Sequence, residues 1–518
     1  MDIRKIIFIF LLFIQLYRSN YILPLYTTTI SKNDSIIKND YLSNIYSNHL
    51  CAKFIIGSNK EEIKGIINMT QIGFFVYENA YDYNSSSSFD QVSNLKSFYL
   101  KNYEEGFLAN DTLCLLPYNE KQDINNINIK KCNNFEKVKF SLLKSKQKYM
   151  EYNIYDKYAI LGLQQNSDQD EYIIPLFIKT LKNTDMINSH TFSFHFLNNT
   201  KTGENEGYIL LGDEDFDEDN GFLKRTLSQP QKGQIYWNLV FQKVFAQVNN
   251  NLNISLDRYS KTFDIKDAQI IGNMPYIIGI NTYKNYIRYY FFEELLLKDI
   301  CAYKNVSIDD SYGTFVCDSQ SDLFKEKFNN EFPKLYFEHY ELNTTFILDQ
   351  YDLFTYNNID KSDKNIYFLI FFPNKNDPYT NPENPRATII KRWKLGIPFL
   401  KKYKLSFNGD NRMISYYKKF NNNNDIDSNN NGNNKKDENN SNENNSNENS
   451  KSSTLIKVII IISLLIIFFV LGILFHKNII RLPRKKKANE LEDDYEYTIN
   501  QNTLDEKKAS LNNYETSN

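Results

Sequence analysis

The sequence predicts an all-β ectodomain carried on one C-terminal transmembrane helix, and three observations predict it. From Leu50 onward, apolar residues alternate over short runs punctuated by Gly, Asn and Ser, the pattern of half-buried strands and tight turns. Val458 to Phe475 is a stretch of 18 uncharged residues, almost all Ile, Leu, Val or Phe. Ahead of that stretch, 16 of the 30 residues from Asn421 to Ser450 are Asn, too polar a segment to bury a core.

The chain of 518 residues has room for two or three domains, or for one large two-lobed one. Its formal net charge of -2 gives no general attraction to nucleic acid, and none is expected as a partner.

Met1-Asp2-Ile3-Arg4-Lys5 and the apolar run from Ile6 to Leu16 read as a signal peptide over residues 1–20, too short to span a bilayer. Residues 21–48 are polar and read as a short leader or a strand that wraps the core. Ala52, Phe54 and Ile56 then alternate, and Gly57-Ser58-Asn59 makes a turn. Ile66-Ile67-Asn68-Met69-Thr70-Gln71-Ile72-Gly73-Phe74-Phe75-Val76 reads as a buried strand, a polar turn and a second apolar strand. Phe98-Tyr99-Leu100 opens a further hairpin that Gly106 to Leu113 continues.

At the other end, residues 421–453 form a disordered stalk, 454–476 the transmembrane helix and 477–518 a cytoplasmic tail. At about 1.5 Å per residue the apolar run nearly crosses a ~30 Å hydrocarbon layer, with Lys457 and Lys477 snorkelling at its ends. Arg481, Arg484, Lys485, Lys486 and Lys487 follow it, and the positive-inside rule puts them in the cytosol. The expectation is a single-pass type I protein, its ectodomain extracellular or in the lumen of the secretory and endolysosomal system.

The five cysteines fit that compartment. Cys301 with Cys317 and Cys114 with Cys132 are the expected disulfides, leaving Cys51 unpaired. Sequons at Asn33, Asn84, Asn110, Asn198, Asn253, Asn305 and Asn343 suit a glycosylated ectodomain.

Several segments, in order, resemble the pepsin-type aspartic proteases. Lys53-Phe54-Ile55-Ile56-Gly57-Ser58-Asn59 resembles the strand and turn before that family's first aspartate, and Gly106 to Leu113 the stretch after its flap. Ala159-Ile160-Leu161-Gly162-Leu163 is similar to its Gly-Ile-Leu-Gly-Leu run. Phe192 to Leu197 with Gly207 to Asp215 is similar to the hairpin linking its lobes, and Trp237-Asn238-Leu239 to the strand after that. Ala268-Gln269-Ile270-Ile271-Gly272-Asn273-Met274-Pro275-Tyr276-Ile277-Ile278-Gly279 resembles its second Asp-Thr-Gly segment. Trp393-Lys394-Leu395-Gly396-Ile397-Pro398-Phe399-Leu400 resembles its Leu-Gly-x-x-Phe-Leu signature, and Phe407 to Ile414 its last hairpin.

The resemblance implies a bilobal pepsin-like acid protease fold, with an N-terminal lobe over 49–204 and a C-terminal lobe over 205–420. Carried over position by position, the two catalytic aspartates fall at Asn68 and Ile271. Aspartic proteolysis needs two carboxyls sharing one proton, one acting as base and one as acid. An amide does not titrate, and an isoleucine has no polar atom. Tyr99 falls at the flap tyrosine, but Leu100 and Asn102 replace its glycine neighbours. Met69-Thr70 and Asn273-Met274 replace the residues that orient the carboxylates.

The expected function is therefore that of an inactive pseudoprotease, with no catalytic residue intact. It holds an extended peptide or protein in its cleft through Asn68, Thr70, Gly73, Tyr99 and Asn273. Two alternatives stand beside it: an active aspartic endopeptidase with a noncanonical site, and a surface antigen or adhesin using the fold as a scaffold. No cofactor or metal is expected, because the five histidines lack ligand spacing and no Walker, Rossmann or Gly-x-Ser-x-Gly motif occurs. The acidic run Asp213 to Asp219 reads as a solvated turn.

Overall fold

The computed structural model describes residues 20–30, 40–71, 73–94, 105–118, 128–133, 135–144, 157–164, 175–197, 206–212, 222–228, 236–248, 252–255, 267–330, 332–357, 359–374 and 392–419. The signal peptide up to Ser19, the stalk, the apolar run 454–476, the tail, the acidic run and the lobe junction near residue 204 lie outside them, as do Tyr99, Asn33 and Asn198. Among the described residues no helix is long and apolar enough to cross a membrane.

The described chain is mostly β-sheet, as the alternating pattern requires. Its strands form a 14-stranded, a 9-stranded and a 4-stranded sheet. Tyr21–Thr29, read from sequence as leader or strand, is a strand. It lies antiparallel to both Gly207–Gly212 and Asn48–Ile56. On the far side of Gly207–Gly212 come Thr191–Phe196, Leu405–Asn408 and Met413–Lys419, so strands from both ends of the chain share one sheet.

A three-strand unit occurs twice. Glu61–Asn68 runs parallel to Ala159–Gly162, which is antiparallel to Phe74–Tyr77. Asp267–Ile270 runs parallel to Trp393–Leu395, which is antiparallel to Ile277–Ile278. In each unit a strand and its turn return to the sheet on the other side of a strand that arrives from far along the sequence. The inserted strand is crowded where it passes the turn. A Cβ on Gly162 would sit 2.5 Å from the Gln71 carbonyl oxygen, and one on Gly396 would sit 2.4 Å from that of Met274. Glycine is required at both places for the same reason, close backbone approach.

Aromatic side chains dominate the core. Phe54, Phe74, Phe140 and Phe177 are fully buried beneath the first unit, and Phe292, Phe315, Phe368 and Trp393 beneath the second. Each fully buried side chain of this size stabilises by roughly 1.5–3 kcal/mol relative to exposure. Trp237 ties the two halves together: its Nε1–H donates to the Leu163 carbonyl at 2.7 Å, and its ring meets Phe192 and Phe407 edge-on.

Several short helices accompany the sheets. The most consequential is Tyr41–Ser47, inside the stretch read as polar leader. Asp40 caps it, accepting from the Leu42 N–H at 3.1 Å and the Ser43 hydroxyl at 2.6 Å. Leu42 and Ile45 bury against Tyr276, Ile278, Val316 and Phe371. Tyr46 stacks on Tyr276 at 5.5 Å, and its hydroxyl donates to Asp309 at 2.5 Å. The apolar i, i+3, i+4 triplet is present in the sequence, but about two turns of helix have no stability of their own without this surface.

Both expected disulfides are present, Cys114–Cys132 and Cys301–Cys317. Cys51 is free and buried, and burial pushes its thiol up to about 12, which leaves it protonated and inert. Of the described sequon residues, Asn84, Asn305 and Asn343 are exposed and Asn110 is half-buried; Asn253 lies in the strand Leu252–Ser255.

Candidate functional site

The two equivalent turns of the repeated unit are the candidate site. Asn68 ends its strand opposite Gly162, and the peptide after it is pinned by the Leu163 N–H donating to the Asn68 carbonyl at 2.8 Å. The side chain then closes a local turn. Its Oδ1 accepts from the Thr70 N–H at 2.9 Å and the Thr70 hydroxyl at 2.8 Å, while its Nδ2 donates to Gln71 Oε1 at 3.1 Å. This is the Asx geometry that asparagine and aspartate share, so the fold accepts either here. Gly73 leaves the turn at φ +109°, a left-handed conformation suited to glycine, and its carbonyl accepts from the Gly162 N–H at 2.8 Å.

In the second unit Ile271 holds the place that Asn68 holds in the first. Its N–H donates to the Leu395 carbonyl at 2.9 Å and its side chain is buried. No carboxylate stands at either position. Asn273, two residues on, is buried; its carbonyl accepts from the Leu50 N–H at 3.0 Å. Its Nδ2 lies 3.5 Å from His49 Nδ1, and its Oδ1 has no hydrogen-bond partner among the described residues. Burial pushes the His49 imidazole down to about 4, so it is neutral at pH 7.

The turns meet. Met69, fully buried, reaches across so that a Cβ on Gly272 would lie 2.9 Å from its Sδ and 2.7 Å from the Phe194 Cζ. A long side chain on one turn fills the space left by the missing side chain on the other, and Phe194 from the shared sheet closes the contact. Asn68, Thr70 and Gly73 lie on the first turn and Asn273 on the second, and the fold brings those turns together. Sequence alone does not reveal Met69 with Gly272 as the joint, His49 beside Asn273, or the helix Tyr41–Ser47 packed on Tyr276 just beyond. The only available signal was the glycine directly after an apolar strand.

Chemically, the arrangement offers amides, one hydroxyl and a neutral imidazole. It can donate and accept hydrogen bonds, and neither paired position can exchange a proton near neutrality. Among the described residues no group of His, Cys, Asp and Glu is placed to hold a metal ion. No protein-family model matches the chain, and no curated protein matches it.

Proposed function

We propose that the chain is a membrane-anchored relative of the pepsin-type aspartic proteases that has lost its acid pair and retains extended peptide between two lobes. The observation that carries this reading is the repeated three-strand unit, with Asn68 and Ile271 at its matching turn positions. Hydrolysis by that family's chemistry needs one ionised and one protonated carboxyl side by side. Here the first position keeps the shape of the acid without its proton, and the second keeps neither. Strand-like recognition of a peptide rests on backbone hydrogen bonds and side-chain pockets, which do not need the acids. Asn68 and Thr70 are half-buried, with part of each open to such a ligand. The two disulfides suit an oxidising compartment, in keeping with a type I topology and an extracellular or lumenal ectodomain.

The test is the full chain against a diverse peptide library from pH 3 to 7, beside an Asn68→Ala variant and with a statine-type transition-state analogue as a binding probe. The expected result is selective peptide retention, weakened in the variant, with no cleavage. Cleavage that disappears in Asn68→Ala would overturn the inactive reading. Neither cleavage nor retention would make the fold a scaffold and remove the cleft from the account.

A further inference from the structure

On elements other than the two turns lies an open cavity of about 400 Å³, within the range of small-molecule sites. Sheet and helix bring its wall together. The register sets Asn110 of the strand Glu105–Cys114 opposite Lys139 of the strand Phe135–Lys144. Lys137, two residues earlier, shares that face, while Val138 and Phe140 are buried on the other. The helix Phe177–Asn183 supplies the rest. Just ahead of it the Pro175 carbonyl accepts from the Phe74 N–H at 2.7 Å, and the Phe177 ring meets Phe74 edge-on at 5.1 Å. Lys179 and Asn183, one turn apart, join the wall with Thr180, and no acidic side chain among the described residues is part of it.

This wall carries donors that the fold leaves unused. Asn110, Lys139 and Asn183 make no side-chain hydrogen bond or ion pair among the described residues. Lys137 reaches Asp90 at 3.5 Å, but both side chains are more than half exposed, and such a pair contributes little. Three lysines bordering one acid-free cavity repel one another, and an anion among them replaces repulsion with attraction. Lysine holds phosphate as a point charge on a flexible four-carbon stem, so its ammonium follows an oxyanion into place. The Asn110 and Asn183 amides and the Thr180 hydroxyl suit the hydroxyls of a sugar. We propose that this cavity binds a small sugar phosphate, its phosphate among Lys137, Lys139 and Lys179 and its hydroxyls on Asn110, Asn183 and Thr180. The site uses none of the residues assigned to the peptide cleft. Asn110 also begins a sequon, and a glycan there would take the same space, so the site requires it unmodified.

The experiment is calorimetric titration of the full chain, in mild detergent and phosphate-free buffer, with glucose 6-phosphate, and with glucose and inorganic phosphate as controls. Glucose 6-phosphate is expected to bind saturably, inorganic phosphate more weakly, and glucose not at all. Lys139→Gln should weaken the sugar phosphate about tenfold or more, the loss of one charge-assisted hydrogen bond. Asn183→Ala should weaken it while leaving inorganic phosphate unchanged. Lys139 and Asn183 are exposed, so both variants are expected to fold. Lys304→Gln, at an exposed lysine outside this wall, should change nothing. The proposal is overturned if glucose 6-phosphate does not saturate the wild-type chain by about 10 mM. It is overturned equally if glucose or inorganic phosphate binds as tightly, or if Lys139→Gln has no more effect than Lys304→Gln. Peptide mapping by mass spectrometry that finds a glycan on Asn110 overturns it as well.

Discussion

Replacing Gly272 by alanine tests whether the two turns meet as described. The added Cβ would lie 2.7 Å from the Phe194 Cζ and 2.9 Å from the Met69 Sδ, closer than such atoms approach in proteins. The methionine is flexible, but it is fully buried and has nowhere to go. The Phe194 ring is held by Phe196 stacked at 6.1 Å and by Phe192 and Phe407 edge-on. Overpacking of this kind costs about 1–3 kcal/mol. Met69→Ala alone should cost about 2–5 kcal/mol through the cavity it opens. The double variant should cost less than the sum by about 1 kcal/mol or more, because the new methyl then occupies vacated space. Urea unfolding of all four chains, with slopes compared to confirm a common denatured state, gives the cycle directly. Strict additivity, or a neutral Gly272→Ala, would refute the contact and with it the joint between the halves.

Three further outcomes follow from the same structure. Gly162→Ala and Gly396→Ala should each destabilise by about 1–3 kcal/mol or more, since their neighbours are backbone carbonyls that cannot turn aside; a neutral result at either, read by thermal unfolding, would remove that unit from the repeat. His339 is buried, accepts from the Leu342 N–H at 3.2 Å, and is pushed down to about 4 by burial. Below pH 6.5 the unfolded chain takes up a proton there that the folded chain refuses until about pH 4, so stability should fall through that window. The loss approaches ~3 kcal/mol at pH 4, and a folded His339→Gln variant should show a shallower decline by denaturant titration. Cys301→Ser with Cys317→Ser should cost about 3 kcal/mol, as expected for a loop closed across 16 residues, and Cys114→Ser with Cys132→Ser a similar amount for 18; mass spectrometry of the alkylated wild-type chain should find Cys51 as the only free thiol of the five.

The sequence by itself determined the strand content, both disulfide pairings and the ends of the two strands that carry the candidate site. Those features are local or nearly so. Alternation of Ile, Phe and polar residues selects a half-buried strand, and Asn68 before Thr70 selects its own turn by hydrogen bonds within three residues. The absence of a titrating group at Asn68 and Ile271 is likewise a fact of residue type and needs no coordinates. Tertiary structure decided the rest. It folded Tyr41–Ser47 into a helix, because only the apolar face around Tyr276 and Phe371 offsets the cost of ordering seven polar-looking residues. It set Met69 against Gly272, a fit between residues 203 positions apart that no window of sequence contains.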